Sequence, residues 1–573
     1  MNAYNLLSKI VALTQILPVE EISRTSELFS PLRVLGFFVV GLLNAALMLI
    51  LAPKFLRAAQ QCGYKGSDYF RWLKKKDNVY LTRIIMLSML SVLGFILVNM
   101  AVSFIDHPIV KYSGFLVYFI FLFIYFRADL KRKGRLPLVI TKRTIRVMIT
   151  FGVLTALISV ILILGVNLIA IPFQENLLAN FRYAILCLSP ILVPYLVLLA
   201  LVINKPLEKV INKKYYKECR ETLSKRNDLI KIGITGSYAK TTVKNILNSI
   251  LSEKYKVLAS PASYNTPMGV VKTVKRLEDS HQVLICEMGA RVVGDIKELS
   301  NLVEHDIAVI TGVNNQHLES FVTMDNIVKT KSEIIGGNFK GKAFISADSK
   351  YSLQIYEKAG CEKYLAGLKK YKNSSVYAES VSIDETGTSF TLVHGEEKVL
   401  IKTKLLGEHN VSNIALCASV ALSLGFTLSE IALAVEKLSY VSHRLELIKG
   451  DNGVNVLDDG YNSNPDGIRH AIKVLSKFSG KKFVVTPGIV ELGASGYRFN
   501  FEAGQLMASV CDGVILVGRS GSLHVREGLL SKEYSTDKIY MVKSLSEAKE
   551  KLKEIVSEGD TVLFANDLPD IHL

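Results

Sequence analysis

Five apolar runs before residue 204 constrain this chain more than anything else in it: Val34–Leu51, Ile84–Phe104, Gly114–Phe126, Val147–Phe173 and Tyr183–Ile203. Four are long and nearly uncharged, and roughly 18 or more consecutive apolar residues suffice to cross a bilayer as a helix. Gly114–Phe126 is shorter, and Ile109–Phe126 nearly suffices if Lys111 snorkels toward the headgroups. So many long runs with basic flanks argue for membrane rather than for buried helices of a soluble domain. The mean hydropathy of +0.29 is high for a soluble protein, and its source is this N-terminal part.

Lysine and arginine placement orients the runs. KFLRAAQQCGYKGSDYFRWLKKK, RADLKRKGRLPLVITKRTIR and NKPLEKVINKKYYK are strongly basic, whereas IDHPIVKY and QENLLANFR are nearly neutral. Basic segments stay cytoplasmic. An odd number of spans then puts the N-terminus outside and everything after Ile203 in the cytoplasm, at a cell (inner) membrane. The first 33 residues carry Glu20, Glu21 and Glu27 without the basic opening of a cleavable signal peptide. The net charge of +17 is mostly a property of these loops, which would face anionic headgroups. No basic stripe with interleaved aromatics follows, so nucleic acid is not an expected partner. Seven scattered cysteines, with no C-x-x-C pair, fit a reducing cytoplasm and argue against a zinc site.

Beyond the runs the pattern changes. Asp228–Thr235 (DLIKIGIT), HQVLICEM and DIAVITGV read as buried strands separated by helical patterns, which predicts a parallel sheet with helices on both faces. The stretch SVYAESVSIDETGTSFTLVHGEEKVLIKTKLL alternates as antiparallel strands do. A second α/β unit begins near His443, with strands at VNVLDDGY, KKFVVTPGIV, DGVILVGR, KIYMVKS and DTVLFAN. The expected fold class is therefore multi-domain: an α-helical transmembrane bundle followed by two α/β domains, a P-loop parallel-sheet ATPase domain and a Rossmann-like C-terminal domain. The boundaries are 1–204 for the membrane domain, 205–227 for a basic connector, 228–442 for the central domain and 443–573 for the last.

GITGSYAKTT, Gly233–Thr242, sits at the first strand-to-helix turn. A helix N-terminus there presents free N–H groups and a positive dipole end to phosphate. Lys240 and Thr241 match the end of G-x-x-x-x-G-K-[ST], but Ile234 and Ala239 stand where that pattern has glycine. Lys240 would reach the β/γ-phosphates and Thr241 would place its hydroxyl on Mg²⁺. If position 239 needs a positive φ, alanine costs about 1–2 kcal/mol there. Glu287 falls at a second strand end, Asn315 and His317 just past a third, and Lys331 on the next helix. In a parallel sheet these ends share one crevice. Thr241, Glu287 and His317 are a workable ligand set for Mg²⁺, which keeps few protein ligands besides phosphates and water. Singly, each of these residues is more often structural.

Taken together the motifs resemble the Mur ligases, ATP-dependent amide-bond formers of peptidoglycan synthesis, and most of all their D-alanyl-D-alanine-adding type. The resemblance covers roughly 228–573. GITGSYAKTT is similar to the family's TGxxGKTT loop, which leaves Ala239 as the one real departure and implies nucleotide contacts from Gly233, Thr235, Gly236, Ser237, Lys240, Thr241 and Thr242. EMGARVVGDI resembles the metal-binding glutamate segment (Glu287), NNQHLESF the histidine segment (His317) and TKSEI the segment whose lysine is carbamylated (Lys331). LLGEHNVSNIALCASVA is similar to GxHNxxNxxAA and implies Asn413 near the adenine. HRLE carries the hinge arginine, Arg444. LDDGYNSNP resembles DDxYNANP, with Asp459, Tyr461, Asn462 and Asn464; Asp459 would hold the ribose.

The resemblance implies ATP and Mg²⁺ as cofactors, catalytic roles for Lys240, His317 and Lys331, and metal ligation by Thr241, Glu287, His317 and carbamylated Lys331. The implied partners are a carboxylate-bearing substrate, lipid-linked if the membrane segments serve it, and an amino acid or dipeptide. The family's UDP-gripping N-terminal domain has no counterpart, since membrane segments occupy its place. NTPMGV, Asn265–Val270, sits where the family contacts the growing peptide; ELGASG, Glu491–Gly496, resembles the ELG segment of the D-alanyl-D-alanine-adding type; FANDLPDIHL replaces the usual ending. A polyglutamate- or capsule-type ligase shares the same core, and a non-catalytic nucleotide-binding scaffold or transporter is the reading from another class.

Overall fold

A computed structural model describes residues 30–74, 78–102, 105, 113–130, 137–170, 182–314, 321–337, 339–450, 452–460, 464–490, 492–518 and 520–566. The chain divides into two compact units at Val210–Ile211.

The first unit is helical: α1 (Pro31–Leu51), α2 (Pro53–Gln61), α3 (Gly66–Leu73), α4 (Val79–Ala101), α5 (Gly114–Leu130), α6 (Lys142–Ala170) and α7 (Ser189–Ser224). Among the described residues four helices are long and apolar enough to cross a membrane, namely α1, α4, α6 and the segment that contains α7. The fifth expected run contains α5, a shorter apolar helix of 17 residues; Ile109–Tyr112 of that run lie outside the described residues. Helix α7 runs through Ser224, so it covers most of the basic connector expected over 205–227. Leu35, Leu42, Leu93 and Ile161 point outward and are exposed. Inside, Asn44 Nδ2 donates to Ser159 Oγ at 2.8 Å and to Ser189 Oγ at 2.9 Å. Buried polar side chains in apolar surroundings need such partners.

The second unit begins with a sheet of nine strands: β1 (Ile230–Thr235), β2 (Val257–Ala259), β3 (Val283–Glu287), β4 (Ile307–Ile310), β5 (Lys342–Ser346), β6 (Glu362–Gly367), β7 (Ser374–Asp384), β8 (Gly387–His394) and β9 (Glu397–Thr403). Their order is β2-β3-β1-β4-β5-β6-β7-β8-β9. Pairing is parallel as far as β7 and antiparallel for β8 and β9. Helices α8 (Lys240–Leu251), α9 (Pro267–Val274), α10 (Asp295–Val303), α11 (Met324–Ser332), α12 (Lys350–Lys358), α13 (Glu408–Ser423) and α14 (Leu428–Glu436) belong to it.

The last domain has β10 (Glu446–Lys449), β11 (Asn455–Asp459), β12 (Lys482–Thr486), β13 (Gly513–Val517), β14 (Ile539–Val542) and β15 (Thr561–Ala565), in the order β10-β11-β15-β12-β13-β14. Only β10 pairs antiparallel. Its helices are α15 (Pro465–Leu475), α16 (Gly496–Ala508), α17 (Ser520–Leu530) and α18 (Leu545–Ile555).

Strand β1 positions the site. Ile232 and Ile234 are fully buried against Val243, Ile246, Leu247 and Ile250 of α8. Each such side chain contributes about 1.5–3 kcal/mol of burial, enough to fix the turn between β1 and α8. On the opposite face Gly233 leaves room for Met288 and His305. The chain turns to opposite sides of β1 on its way to β3 and to β4, so β1 is the switch point where an open α/β sheet has its crevice.

Candidate functional site

The turn from β1 into α8 is tight on both sides. At Gly236, φ is 154° and an added Cβ would lie 1.9 Å from Thr311 Oγ1. Ala239 is the N-cap of α8, with φ 63° and ψ 0°, so the left-handed conformation that glycine adopts freely is imposed here on alanine. Between them Ser237 N donates to Gly312 O at 2.9 Å, and Asn314 N donates to Ser237 Oγ at 3.1 Å. The loop after β4 thus fastens the loop after β1.

The expected nucleotide residues separate into two groups. Gly233 lies inside β1, paired with Cys286 and Ala308, not in a turn, and its smallness serves packing. Thr235 is buried, and its Oγ1 donates to Met288 O at 3.0 Å. Gly236, Ser237, Lys240, Thr241 and Thr242 line the turn itself. Lys240 Nζ donates to Gly236 O at 2.8 Å and Ser237 O at 3.1 Å, folded back over its own loop. Burial pushes its ammonium down to about 8; Glu287 supports the charge and Arg444 opposes it.

Thr241 Oγ1 donates to Glu287 Oε2 at 2.9 Å, so the hydroxyl and carboxylate expected to share a metal do meet. Lys331 on α11 is 3% exposed. Burial holds its amine well below the usual lysine range, and Lys240 lowers it further; Asp295 and Glu333 act the other way. Glu333 is spoken for, accepting from Gly294 N at 2.8 Å and Lys297 N at 2.9 Å ahead of and within α10. His317, Asn315, Tyr461 and Asn462 lie outside the described residues. Among the described residues no three His, Cys, Asp or Glu side chains cluster as a metal set.

A cleft between the two α/β domains adjoins this turn. Its walls include Tyr238, His409, Asn413, Arg444, Asp459 and His470. Arg444 sits between two residues with positive φ, His443 at 62° and Leu445 at 52°. Non-glycine residues hold that conformation only where the surroundings enforce it. His443 Nδ1 lies 2.7 Å from Asp458 Oδ2, which anchors the segment to β11. Burial raises the Asp459 carboxyl to about 6, and Arg444 partly offsets this. His409 is pushed down to about 3 by burial and then by His470.

Lys240 is therefore opposed by Arg444 and itself opposes Lys331. A polyphosphate would relieve that opposition, which is how an anion site is recognised from its own electrostatics. Reading along the chain did not single out Lys244, which is 2% exposed and 3.5 Å from Glu287. A signal was present: Lys244 adjoins the apolar stripe Val243–Ile246–Leu247–Ile250 of its helix, where charge is unusual. His409, His470 and Asn314 also went unassigned.

Residues 234–421 match the Mur ligase middle domain, and residues 443–566 match the Mur ligase glutamate ligase domain. The UDP-N-acetylmuramoyl-tripeptide--D-alanyl-D-alanine ligase of Bacillus subtilis is 30% identical over 336 residues, 58% of this chain and 72% of that protein. The chain belongs to the Mur ligase family. As a Mur ligase it is an ATP-dependent amide-bond ligase. The equivalent ligase of Haemophilus influenzae is 31% identical over 54% of this chain and 68% of its own length. Among solved structures, MurF from Acinetobacter baumannii superposes with a TM-score of 0.57 at 25% identity, covering 63% of this chain and 78% of that one. MurF from Thermotoga maritima in complex with ADP gives 0.55 at 25% identity, covering 63% and 81%. Both family matches begin after residue 233, so the helical unit stands outside them.

Proposed function

We propose that this chain is a membrane-anchored Mur ligase that condenses a cell-wall peptide carboxylate with an amine at the cytoplasmic face of the membrane. The observation that carries the reading is the convergence of Lys240, Lys331 and Arg444 beside the Thr241–Glu287 pair at the switch point of the sheet. Its relatives are named for a muramoyl-tripeptide acceptor and D-alanyl-D-alanine, and those are the first substrates to try.

In the proposed reaction a carboxylate oxygen bonds to the γ-phosphorus of ATP, and ADP leaves. The amine then attacks the acyl carbon of the acyl phosphate, and inorganic phosphate departs with the electron pair of the broken C–O bond. Lys240 and Arg444 hold the phosphates, whose charge they neutralise as it shifts. Asn413 and Asp459 face the adenine and ribose ends. Glu287 and Thr241 offer a carboxylate and a hydroxyl in contact at the phosphate end, a donor set that suits Mg²⁺, and His317 is the further expected ligand. When bound, Mg²⁺ supplies electrostatic neutralisation of phosphate oxygens. Lys331, whose amine burial holds well below the usual lysine range, would take up CO₂ with loss of a proton and become an anionic oxygen donor.

The membrane anchor rests on the four long apolar helices with their exposed leucines and isoleucines. It favours an acceptor carried on lipid over one carried on UDP, and equally suits a capsule- or polyglutamate-type ligase working at the membrane. The test is ATP-dependent phosphate release by the full-length protein in detergent, with D-alanyl-D-alanine and muramoyl tripeptide presented on UDP or on polyprenyl carriers. Deleting residues 1–204 is the companion experiment. Full-rate ligation of a UDP-linked acceptor by the truncated chain would overturn the lipid reading.

A further inference from the structure

Glu287, at the end of β3, is 1% exposed, and both its oxygens are engaged. Oε1 accepts from Asn265 Nδ2 at 3.0 Å. Oε2 accepts from Thr241 Oγ1 at 2.9 Å and lies 3.5 Å from Lys244 Nζ. Two of these three donors lead to the same place. Asn265 belongs to the loop Pro261–Thr266, and Lys244 Nζ also donates to Ala262 O of that loop. The loop is held closely at both points. Ala262 has φ 43°, and Gly289 N donates to Asn265 O at 2.8 Å. A Cβ on Gly289 would lie 2.8 Å from Asn265 Cγ, so the absence of a side chain at 289 is what lets Asn265 reach the carboxylate.

This arrangement has a consequence for any cation that binds Glu287. An ammonium and a divalent cation repel each other, and a carboxylate oxygen turned toward a metal turns away from its former donors. Lys244 and Asn265 must then yield part of their hold, and the loop they share must respond. We propose that Lys244 and Asn265 are positioning residues that make the conformation of Pro261–Thr266 depend on the occupancy of Glu287. The loop lies at the C-terminal edge of the sheet, beside the phosphate turn. A second substrate would therefore meet its final binding surface only after nucleotide and cation are in place. That purpose rests on the ligase reading above; the coupling itself does not.

By reciprocity, whatever shifts the loop must shift cation affinity as well, and couplings of this kind typically span about 5–150-fold. The experiment is hydrogen–deuterium exchange of full-length protein in detergent, with and without Mg²⁺ and ADP, followed in peptides covering residues 261–266. Mn²⁺ binding, read by electron paramagnetic resonance, runs beside it. In the wild type the loop's exchange rate should change about fivefold or more when Mg²⁺ and ADP are added. Lys244→Met and Asn265→Ala should each abolish that change while still binding Mn²⁺, and binding it about fivefold or more tightly, because the competing donor on Glu287 is gone. Lys244→Arg, which keeps the charge, should retain part of the response. Asn265→Ala alters a half-buried loop residue and covers the case in which Lys244→Met fails to fold. The proposal is overturned by a wild-type loop indifferent to Mg²⁺ and ADP, by variants that respond as the wild type does, or by Mn²⁺ binding lost with the response. The last outcome would leave the two residues as props for the carboxylate alone. Failure of every acceptor in the phosphate-release assay would sink the ligase reading and leave this result standing.

Discussion

Asn314 Nδ2 donates to Asp466 Oδ2 at 2.7 Å, linking the loop after β4 to the first turn of α15 across the cleft between the two α/β domains. The same amide donates to Asn464 Oδ1 at 3.0 Å, and that oxygen caps α15 by accepting from Asp466 N and Gly467 N. One side chain on the nucleotide domain thus grips the helix start that follows the LDDGYNSNP segment. Asn314 is itself placed by Ser237 in the phosphate turn. One residue thus ties the contact across the cleft to the shape of the turn.

Asn314→Ala should loosen that closure. Two hydrogen bonds are lost, one of them to a charged acceptor, at about 2–4 kcal/mol in all where both are fully shielded from water, and less in an open cleft. The expected outcome is a KM for ATP raised about tenfold with a smaller fall in kcat. The radius of gyration of the ATP-bound protein should also increase in small-angle scattering. Unchanged KM and unchanged scattering would show that the domains stay closed without this amide.

Ala239→Gly addresses the departure in the phosphate loop. At φ 63° alanine bears left-handed strain that glycine does not, worth about 1–2 kcal/mol. Glycine's extra freedom in the unfolded chain returns roughly 0.5–1 kcal/mol of that. A net gain of about 1 kcal/mol is expected, read as a rise in the thermal midpoint of the α/β domains. ATP affinity should rise or stay level. A variant less stable than the wild type would mean that the loop's neighbours, not the residue's own backbone, set its conformation.

The site was legible along the chain where local pattern and motif coincided. The phosphate turn follows the apolar strand β1, and Glu287 and Asp459 end short apolar strands, so their placement at strand ends was readable without the fold. Arg444 was readable only through its resemblance, because two flanking residues with positive φ leave no periodic trace. Lys244, Asn314 and His470 were not readable. Their roles arise from pairs 43, 152 and 61 positions apart, Lys244 with Glu287, Asn314 with Asp466, and His470 with His409, which only the closed sheet and cleft bring together. In the helical unit apolar runs showed where helices lie but not their ends. α7 continues through the basic connector because its lysines and glutamates are good helix formers.

Lys331 is expected to be indispensable. Burial holds its amine well below the usual lysine range, which favours the uncharged form that combines with CO₂. Lys331→Ala should reduce ligation about a hundred- to a thousandfold, as loss of an electrostatic group in a water-poor site does. Added short-chain carboxylic acids should partly restore it by supplying the missing oxygens. ¹³C NMR of protein equilibrated with labelled bicarbonate should show a carbamate signal that disappears in the variant. Wild-type turnover in Lys331→Ala would remove the residue from the mechanism.

Asp459 predicts the acid limb of nucleotide binding. Burial raises its carboxyl from 3.8 to about 6, despite the nearby Arg444. A raised value means that the folded protein holds this proton more tightly than the unfolded chain. The stability it contributes is therefore fully present below pH 3.8 and is lost as pH rises through about 6. Ligand binding has the opposite preference, because ribose hydroxyls donate best to an ionised carboxylate. Nucleotide affinity should accordingly weaken as pH falls through about 6, with protons released on binding near that pH. Isothermal titration calorimetry in buffers of different ionisation enthalpy counts those protons directly. In Asp459→Asn the group no longer titrates, so affinity should be lower at pH 7.5 and flat between about 5 and 7. If the variant kept the wild-type slope, the titrating group would have to be another, and His470, also pushed down by burial, faces the same cleft.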